Sequence, residues 1–300
     1  LERSQLAGFE GAYQSGYSRG MQWPSVPMRR QFAALLLLSC AMLCSRFGAA
    51  AADLPWDHLP AGRQAVVAAV ADAERLLLDD GTSVALAGLR GPRAAETASG
   101  SAEPGFAEAE AALAVLTLPR TIRLYGPPRA VDRHGHRVAH IALINESGTP
   151  EAWVQGMMLS QGMARAYPAA TEHPDLAAAM LALEGAARTE RLGLWRQTDY
   201  AIRGAADPDR IPTGFQLIEG RVLAIGESGN SLFLNFGTDW RQDFTVVVEH
   251  SDRTGFAAGL RGLRSLQGQR LRVRGHVFRY GGPAIRVRHD YAMERLEEQR

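Results

Sequence analysis

Lysine is absent from this chain: all 33 basic side chains are arginine, in a sequence otherwise rich in alanine and glycine. Such usage reads as GC-rich coding. A surface arginine is therefore not by itself a sign of bidentate phosphate recognition, for which the guanidinium would otherwise be a natural choice. Cysteine is nearly absent as well, and both residues, Cys40 and Cys44, fall in one apolar segment. Net charge is lacking too: a formal +1 at pH 7 argues neither for nor against a polyanionic partner. No apolar run is long enough to cross a bilayer comfortably, which takes about 20 residues.

What is present is enough apolar material, 46% of 300 residues, for two modest domains with their own cores. Met28-Arg-Arg30 forms a basic start, Phe32–Cys44 an apolar run, and Gly48-Ala-Ala-Ala-Ala52 a stretch of small residues. This order predicts a cleaved secretory signal over residues 28–52 and a periplasmic or secreted protein starting near Asp53. The mature chain then has no disulfide and no thiol chemistry. The alternative is a lipid anchor on Cys40, because Leu37-Leu-Ser-Cys40 loosely resembles a lipobox. Residues 1–27 carry no core pattern and read as a disordered upstream extension ahead of a plausible initiator, Met28.

Beyond the leader the pattern alternates between strand and helix periods. Residues 63–73 read as a strand, and the Asp80-Gly81 pair between Leu76–Leu78 and Val84–Leu86 signals a hairpin. A loop covers 94–104, a helix 106–116, and strands 121–125 and 138–144. Two helices follow, one ending at Gly162 and one running from Pro174 to Arg191, with Gly193 expected as its left-handed cap. Residues 203–213 are polar and proline-containing, a linker between residues 53–202 and 214–297. The second segment offers five strands with a helix between the third and fourth, the order of an OB-type barrel. The expected class is mainly β with α, as two OB-type barrels in series with helices packed on the first.

Residues 63–200 resemble the staphylococcal-nuclease-like (thermonuclease) family. The likeness rests on Leu76–Gly81 leading into Val84–Pro92, on Asp132-Arg-His-Gly-His-Arg-Val-Ala139, on Leu159-Ser-Gln-Gly-Met-Ala164, and on Glu184-Gly-Ala-Ala-Arg188 before Gly193-Leu-Trp195. It implies an OB barrel with added helices, and a phosphodiester hydrolysis run by a Glu that activates water, two Arg that clamp the phosphate and a Ca²⁺ on Asp carboxylates and a Thr carbonyl. Carried over one position at a time, most of that set is replaced. The first clamp Arg becomes Ala85, a calcium Asp becomes Arg90, and the carbonyl donor becomes Gly91. Arg93 follows Pro92 where the catalytic Glu is expected, although a shifted alignment would bring Glu96 there. His136 takes the place of the second clamp Arg, with Arg137 one residue on. The other calcium position maps to Glu74, with Asp72 nearby. No catalytic set and no cofactor are expected, and Ca²⁺ enters only if the site is rearranged.

Two further patterns carry chemistry. Asp132, His134, His136 and His140 have a spacing that can hold Zn²⁺ or Cu²⁺. Arg270, Arg272, Arg274 and His276 share one face of a strand. Arg286 and Arg288 repeat the arrangement on the next, with Phe278 and Tyr280 close by; such a face suits single-stranded nucleic acid. Met157, Met158, Met163 and Trp153 read as core. The expected function is an exported, non-catalytic binding or scaffold protein for nucleic acid or another polyanion, an envelope polysaccharide or an envelope protein. The alternatives are a phosphodiesterase using Glu74, Arg93 and His136, and a periplasmic metal-binding protein built on the His string.

Overall fold

The computed structural model describes residues 58–94 and 100–297. The expected leader with Cys40, the upstream residues 1–27 and Glu96 lie outside them.

The first sheet begins with β1 (Ala61–Asp72), β2 (Arg75–Leu78) and β3 (Ser83–Leu86), paired antiparallel in that order. The hairpin turns where Asp80-Gly81 stands: Gly81 has φ 83° and the Thr82 N–H donates to Asp80 Oδ1 at 2.9 Å. After β4 (Leu89–Arg90) and helix α1 (Phe106–Thr117) come β5 (Thr121–Tyr125), β6 (Arg137–Ile144) and β7 (Pro150–Trp153). β5 pairs antiparallel with both β1 and β6, and β6 runs parallel to β3. The pairings therefore return on themselves through β1-β2-β3-β6-β5, with β7 added outside on β6. Inside the ring Val67, Leu76, Leu78, Val84, Ile122, Ile141 and Leu143 are at most 1% exposed, and each such side chain stabilises the fold by about 1.5–3 kcal/mol.

Helix α2 (Val154–Ser160) packs on this ring, burying Met158 beside Trp153. It stops where Gly162 turns left-handed, φ 69°. The next helix, α3 (Pro174–Thr189), behaves differently from expectation. The position just past its cap is Arg191 (φ 54°), and Gly193, also left-handed at φ 49°, stands two residues further on. Gly193 is required for another reason: the Leu194 N–H donates to the Gly162 carbonyl at 2.9 Å, and a Cβ on Gly193 would overlap that oxygen.

The segment expected as a linker is built into the second sheet. β9 (Arg203–Gly204) pairs parallel with β10 (Gly214–Arg221), and Ala205 and Ile211 are buried in the second core. Ring closure explains the rest. β10 pairs with β14 (Arg270–Tyr280), and β11 (Ala224–Ser228), which continues it past Val222-Leu223, pairs with β12 (Ser231–Asn235). β12 pairs with β13 (Thr245–Val248), which runs parallel to β15 (Gly282–Arg286), and β15 pairs with β14. Helix α4 (Gly259–Arg264) lies between β13 and β14 in sequence, and β16 (Met293–Arg295) adds to β14. The molecule is mainly β with packed helices, and the pairings of both sheets return on themselves.

The arginine face of β14 is where structure and sequence part. Alternation holds: Leu271, Val273 and Val277 enter the second core. The opposite face, however, is no open surface. Arg274 is 1% exposed, and its guanidinium donates to the carboxylate of Glu184 on α3, to Glu294 of β16, and to the Ala166 carbonyl of β8 (Arg165–Ala166) at 2.8 Å. Arg272 bridges Glu219 and Glu294, and Arg270 pairs with Glu219. Beside them Leu217 and Phe215 pack with Ala187, Leu194, Trp195 and Tyr200 of the first half. The face is a seam between the two rings. Arg286 is likewise paired, with Asp252 and Glu249 at 2.6 and 2.8 Å, whereas Arg288 and Phe278 are exposed.

Removing one member of a buried pair strands the other. Arg274→Met should therefore lower stability by about 3–5 kcal/mol, because Glu184, 0% exposed, keeps only Arg188 at 3.9 Å. The half-exposed Arg270→Met should cost under about 1 kcal/mol. Urea midpoints of the two variants read the difference directly.

Candidate functional site

The corner that follows β3 brings four chain segments together. The end of β1 supplies Asp72, the β1–β2 turn Glu74, β2 Arg75, and β4 with the next residues Arg90, Gly91 and Arg93. Asp72 and Glu74 are adjacent as expected for a metal pair, yet all four of their oxygens are engaged. Asp72 Oδ1 accepts the Glu74 N–H at 2.8 Å, and Oδ2 accepts Arg75 Nε at 2.7 Å. Glu74 Oε1 accepts the Gly91 N–H at 2.7 Å, and Oε2 accepts Arg90 Nη1 at 3.1 Å. Burial pushes the Glu74 carboxyl up, more than Arg90 and the Gly91 N–H pull it back. Ca²⁺ wants six to eight unshared oxygens, and these residues do not fit it.

Arg75 is the group that the sequence did not single out. It is the cross-strand partner of Ala85, and its Nη1 reaches His136 Nε2 at 3.2 Å. A guanidinium thus stands next to the position where the resemblance expects a clamp arginine, supplied from the neighbouring strand. Only the hairpin register places it there, and register is weakly legible in sequence. His136 is held on its other side: its Nδ1 lies 2.9 Å from Asp132 Oδ2, so the ring donates to the carboxylate and accepts from Arg75. Burial pushes Asp132 up, but hydrogen bonds from the His136 ring and from the backbone of His136 and His134 outweigh it and hold the carboxyl below its ordinary value. Arg137 gives its guanidinium to the carbonyls of Ala130 and Val138 at 3.0 and 2.9 Å.

Of the His string expected to hold metal, Asp132, His134 and His136 stay together, the two rings 5.8 Å apart, whereas His140 is turned away. His134 Nε2 accepts from Arg133 Nε at 2.9 Å. His140 is 3% exposed and turned the other way, its Nε2 3.1 Å from Glu172 Oε2. Strand alternation explains this: His140 lies inside β6, and Asp132, His134 and His136 lie on the turn before it.

Arginines gather where the corner meets the second ring. Arg165 is the cross-strand partner of Arg90, and its guanidinium is buried over the Tyr200 and Phe215 rings at 4.9 and 4.8 Å. Its Nη1 donates to the Phe215 carbonyl at 2.7 Å, and Nη2 lies 3.6 Å from Glu103, which also pairs with Arg93. His276 is the cross-strand partner of Phe215, with the rings edge to face at 5.5 Å. The histidine is exposed on the strand, yet the protein packed around its ring costs the charged form solvation, and with the charges of Arg90, Arg93, Arg165 and Arg133 this pushes its pKa down to about 4. Beyond His276 the same face of β14 carries Phe278 and Tyr280, 41% and 53% exposed, and Tyr280 stacks on Phe233 of β12 at 6.3 Å.

Residues 83–197 match the family model described as staphylococcal nuclease homologue. No curated protein matches the chain. These residues form a staphylococcal-nuclease-like domain, and the corner from β3 through Arg93 lies inside it. Among the described residues, no helix is long and apolar enough to cross a membrane.

A histidine whose pKa falls on folding weakens stability as pH drops, because the unfolded chain takes up the proton first. His276 should make the fold less stable as pH falls from its unfolded value of 6.5 toward about 4, and cost nothing above that window. The non-titrating His276→Gln should lose less stability than the parent between pH 7 and pH 5. Urea midpoints at the two pH values test this, and equal losses in both proteins would refute it.

Proposed function

We propose that this is an exported protein whose nuclease-like domain no longer cleaves, and that it holds single-stranded nucleic acid along a track leading from the old catalytic corner onto the second ring. The carrying observation is the Arg90–Glu74 contact at 3.1 Å. A guanidinium takes the Glu74 oxygen that a divalent ion would need, which leaves Asp72 and Glu74, among the described residues, without a free oxygen for a metal-assisted step. The position expected for the general base is held by Arg93, which pairs with Glu103. A missing base costs about 10²–10⁴ in rate, and a missing charge-stabilising donor about 10²–10³ more. Glu74, Arg93 and His136, the groups of a rearranged hydrolase, are each tied to a different partner.

The same residues suit binding. Arg90 and Arg93, each about a third or more exposed at the side chain, offer cations for a phosphate backbone. Desolvation lowers the pKa of His276 first, and the charges of Arg90, Arg93, Arg165 and Arg133 lower it further; four guanidinium groups so placed favour an anion there. The second ring, read as an OB-type barrel, continues from there: His276, Phe278 and Tyr280 alternate outward along β14 and span about 13 Å at strand rise, and the Tyr280–Phe233 stack ends the run. Cations for the backbone followed by rings for the bases is the arrangement that single strands require.

Electrophoretic mobility of a single-stranded DNA and an RNA oligomer, with and without Ca²⁺, tests both halves. The expected result is an intact oligomer that shifts at 50 mM salt and is largely released at 200 mM. Phe278→Ala with Tyr280→Ala should weaken binding about tenfold or more, since each stacked base contributes about 1–3 kcal/mol. Cleavage would overturn the non-catalytic reading. No shift at low salt would overturn the ligand.

A further inference from the structure

Away from the corner, three side chains with metal-ligating atoms converge where β1 begins and α3 begins. His58 precedes β1, His173 caps α3, and Asp175 lies in its first turn. One ligand atom from each lies within 4.8 Å of the others. The two imidazoles stack face to face, centroids 4.0 Å apart and 6° from parallel. His173 Nδ1 is buried and has no hydrogen-bond partner. Its nearest carboxylate oxygen, Asp175 Oδ2, is 3.7 Å away, beyond hydrogen-bond reach. A buried ring nitrogen left without a partner is costly, and a ligand that takes its lone pair removes that cost.

We propose that His58, His173 and Asp175 bind one divalent transition metal ion of the zinc class, and so clip the start of β1 to the start of α3. Two imidazoles and one carboxylate are the donor set such ions prefer, whereas Ca²⁺ and Mg²⁺ take oxygen. Three protein ligands leave a fourth tetrahedral position for water or another anion. With metal–ligand bonds of about 2.0–2.2 Å, tetrahedral ligand atoms sit about 3.3–3.5 Å apart. The three atoms must therefore close by at most about 1.5 Å. Side-chain rotation can supply this, because His58 is exposed and Asp175 is 73% exposed at the side chain.

His173 supplies the fixed point. The residue before it, Glu172, is anchored twice: its carboxylate by His140 Nε2 at 3.1 Å, and its carbonyl by the Tyr291 hydroxyl at 3.2 Å. Pro174 restricts the next backbone step at the helix start. The site is separate from the Asp132–His140 string, whose side chains are committed elsewhere.

Isothermal titration of the metal-free full chain with ZnCl₂ tests the assignment, with His58→Ala, His173→Ala and a His134→Ala/His136→Ala control. One equivalent should bind the parent and the control alike. Each of His58→Ala and His173→Ala should weaken that binding at least tenfold. The melting temperature provides a second readout: zinc should raise it in the parent and the control and leave it unmoved in His58→Ala, a surface change that spares the fold. Absence of stoichiometric binding, equal binding in His58→Ala, or loss of binding in the control would each overturn the proposal.

Discussion

Arg274 leaves one ring and meets the other between an acid of each. Its charge is buried, and Glu184 of α3, Glu294 of its own sheet and the Ala166 carbonyl take its Nη donors. The same network fixes where α3 can lie against β14, and Arg188 and Arg272 extend it at either side. Buried pairs of this kind give little net stability, because desolvation offsets most of the attraction. What they enforce is geometry: a docking that buried Arg274 away from Glu184 would leave a charge unmatched. The position of β14 relative to the nuclease-like corner follows from this constraint.

That position gives the corner its present character. With β14 seated on α3, Phe215 and His276 come up against Arg165, and Arg165 stands across from Arg90. Phosphodiester hydrolysis needs carboxylates free to hold metal and direct water. Here each carboxylate oxygen of Asp72 and Glu74 already has an N–H donor, and the arginines outnumber the acids facing His276. The charged groups of the corner pair with one another, while Arg90 and Arg93 stay about a third or more exposed at the side chain. A binding surface tolerates such saturation, since it needs fixed charge and exposed rings and no group that must change protonation state.

Arg75 reaches the corner from the neighbouring strand. The strand position opposite it holds alanine, and the guanidinium arriving from β2 meets a histidine already oriented by Asp132. The result is a continuous hydrogen-bonded run from Asp72 through Arg75 and His136 to Asp132.

The sequence by itself determined the elements and their order. The hairpin at Asp80-Gly81, the β6 strand, the α3 span from Pro174, and the strand–helix–strand order of the second ring all follow from local turn chemistry and side-chain periodicity, which act over a few residues. The glycine and proline of the turn around Ala85, Arg90 and Arg93 were legible for the same reason. Only the tertiary structure decided which polar face was surface and which was seam. The alternation of Arg270, Arg272 and Arg274 is the same whether the face meets water or Glu184. Likewise the spacing of Gly193 cannot separate a helix cap from a close approach to Gly162, nor can it bring His58 to His173 across more than a hundred residues. Periodicity reports that a side chain leaves its own core; what it meets depends on the partner element, and that information is spread over distant parts of the chain.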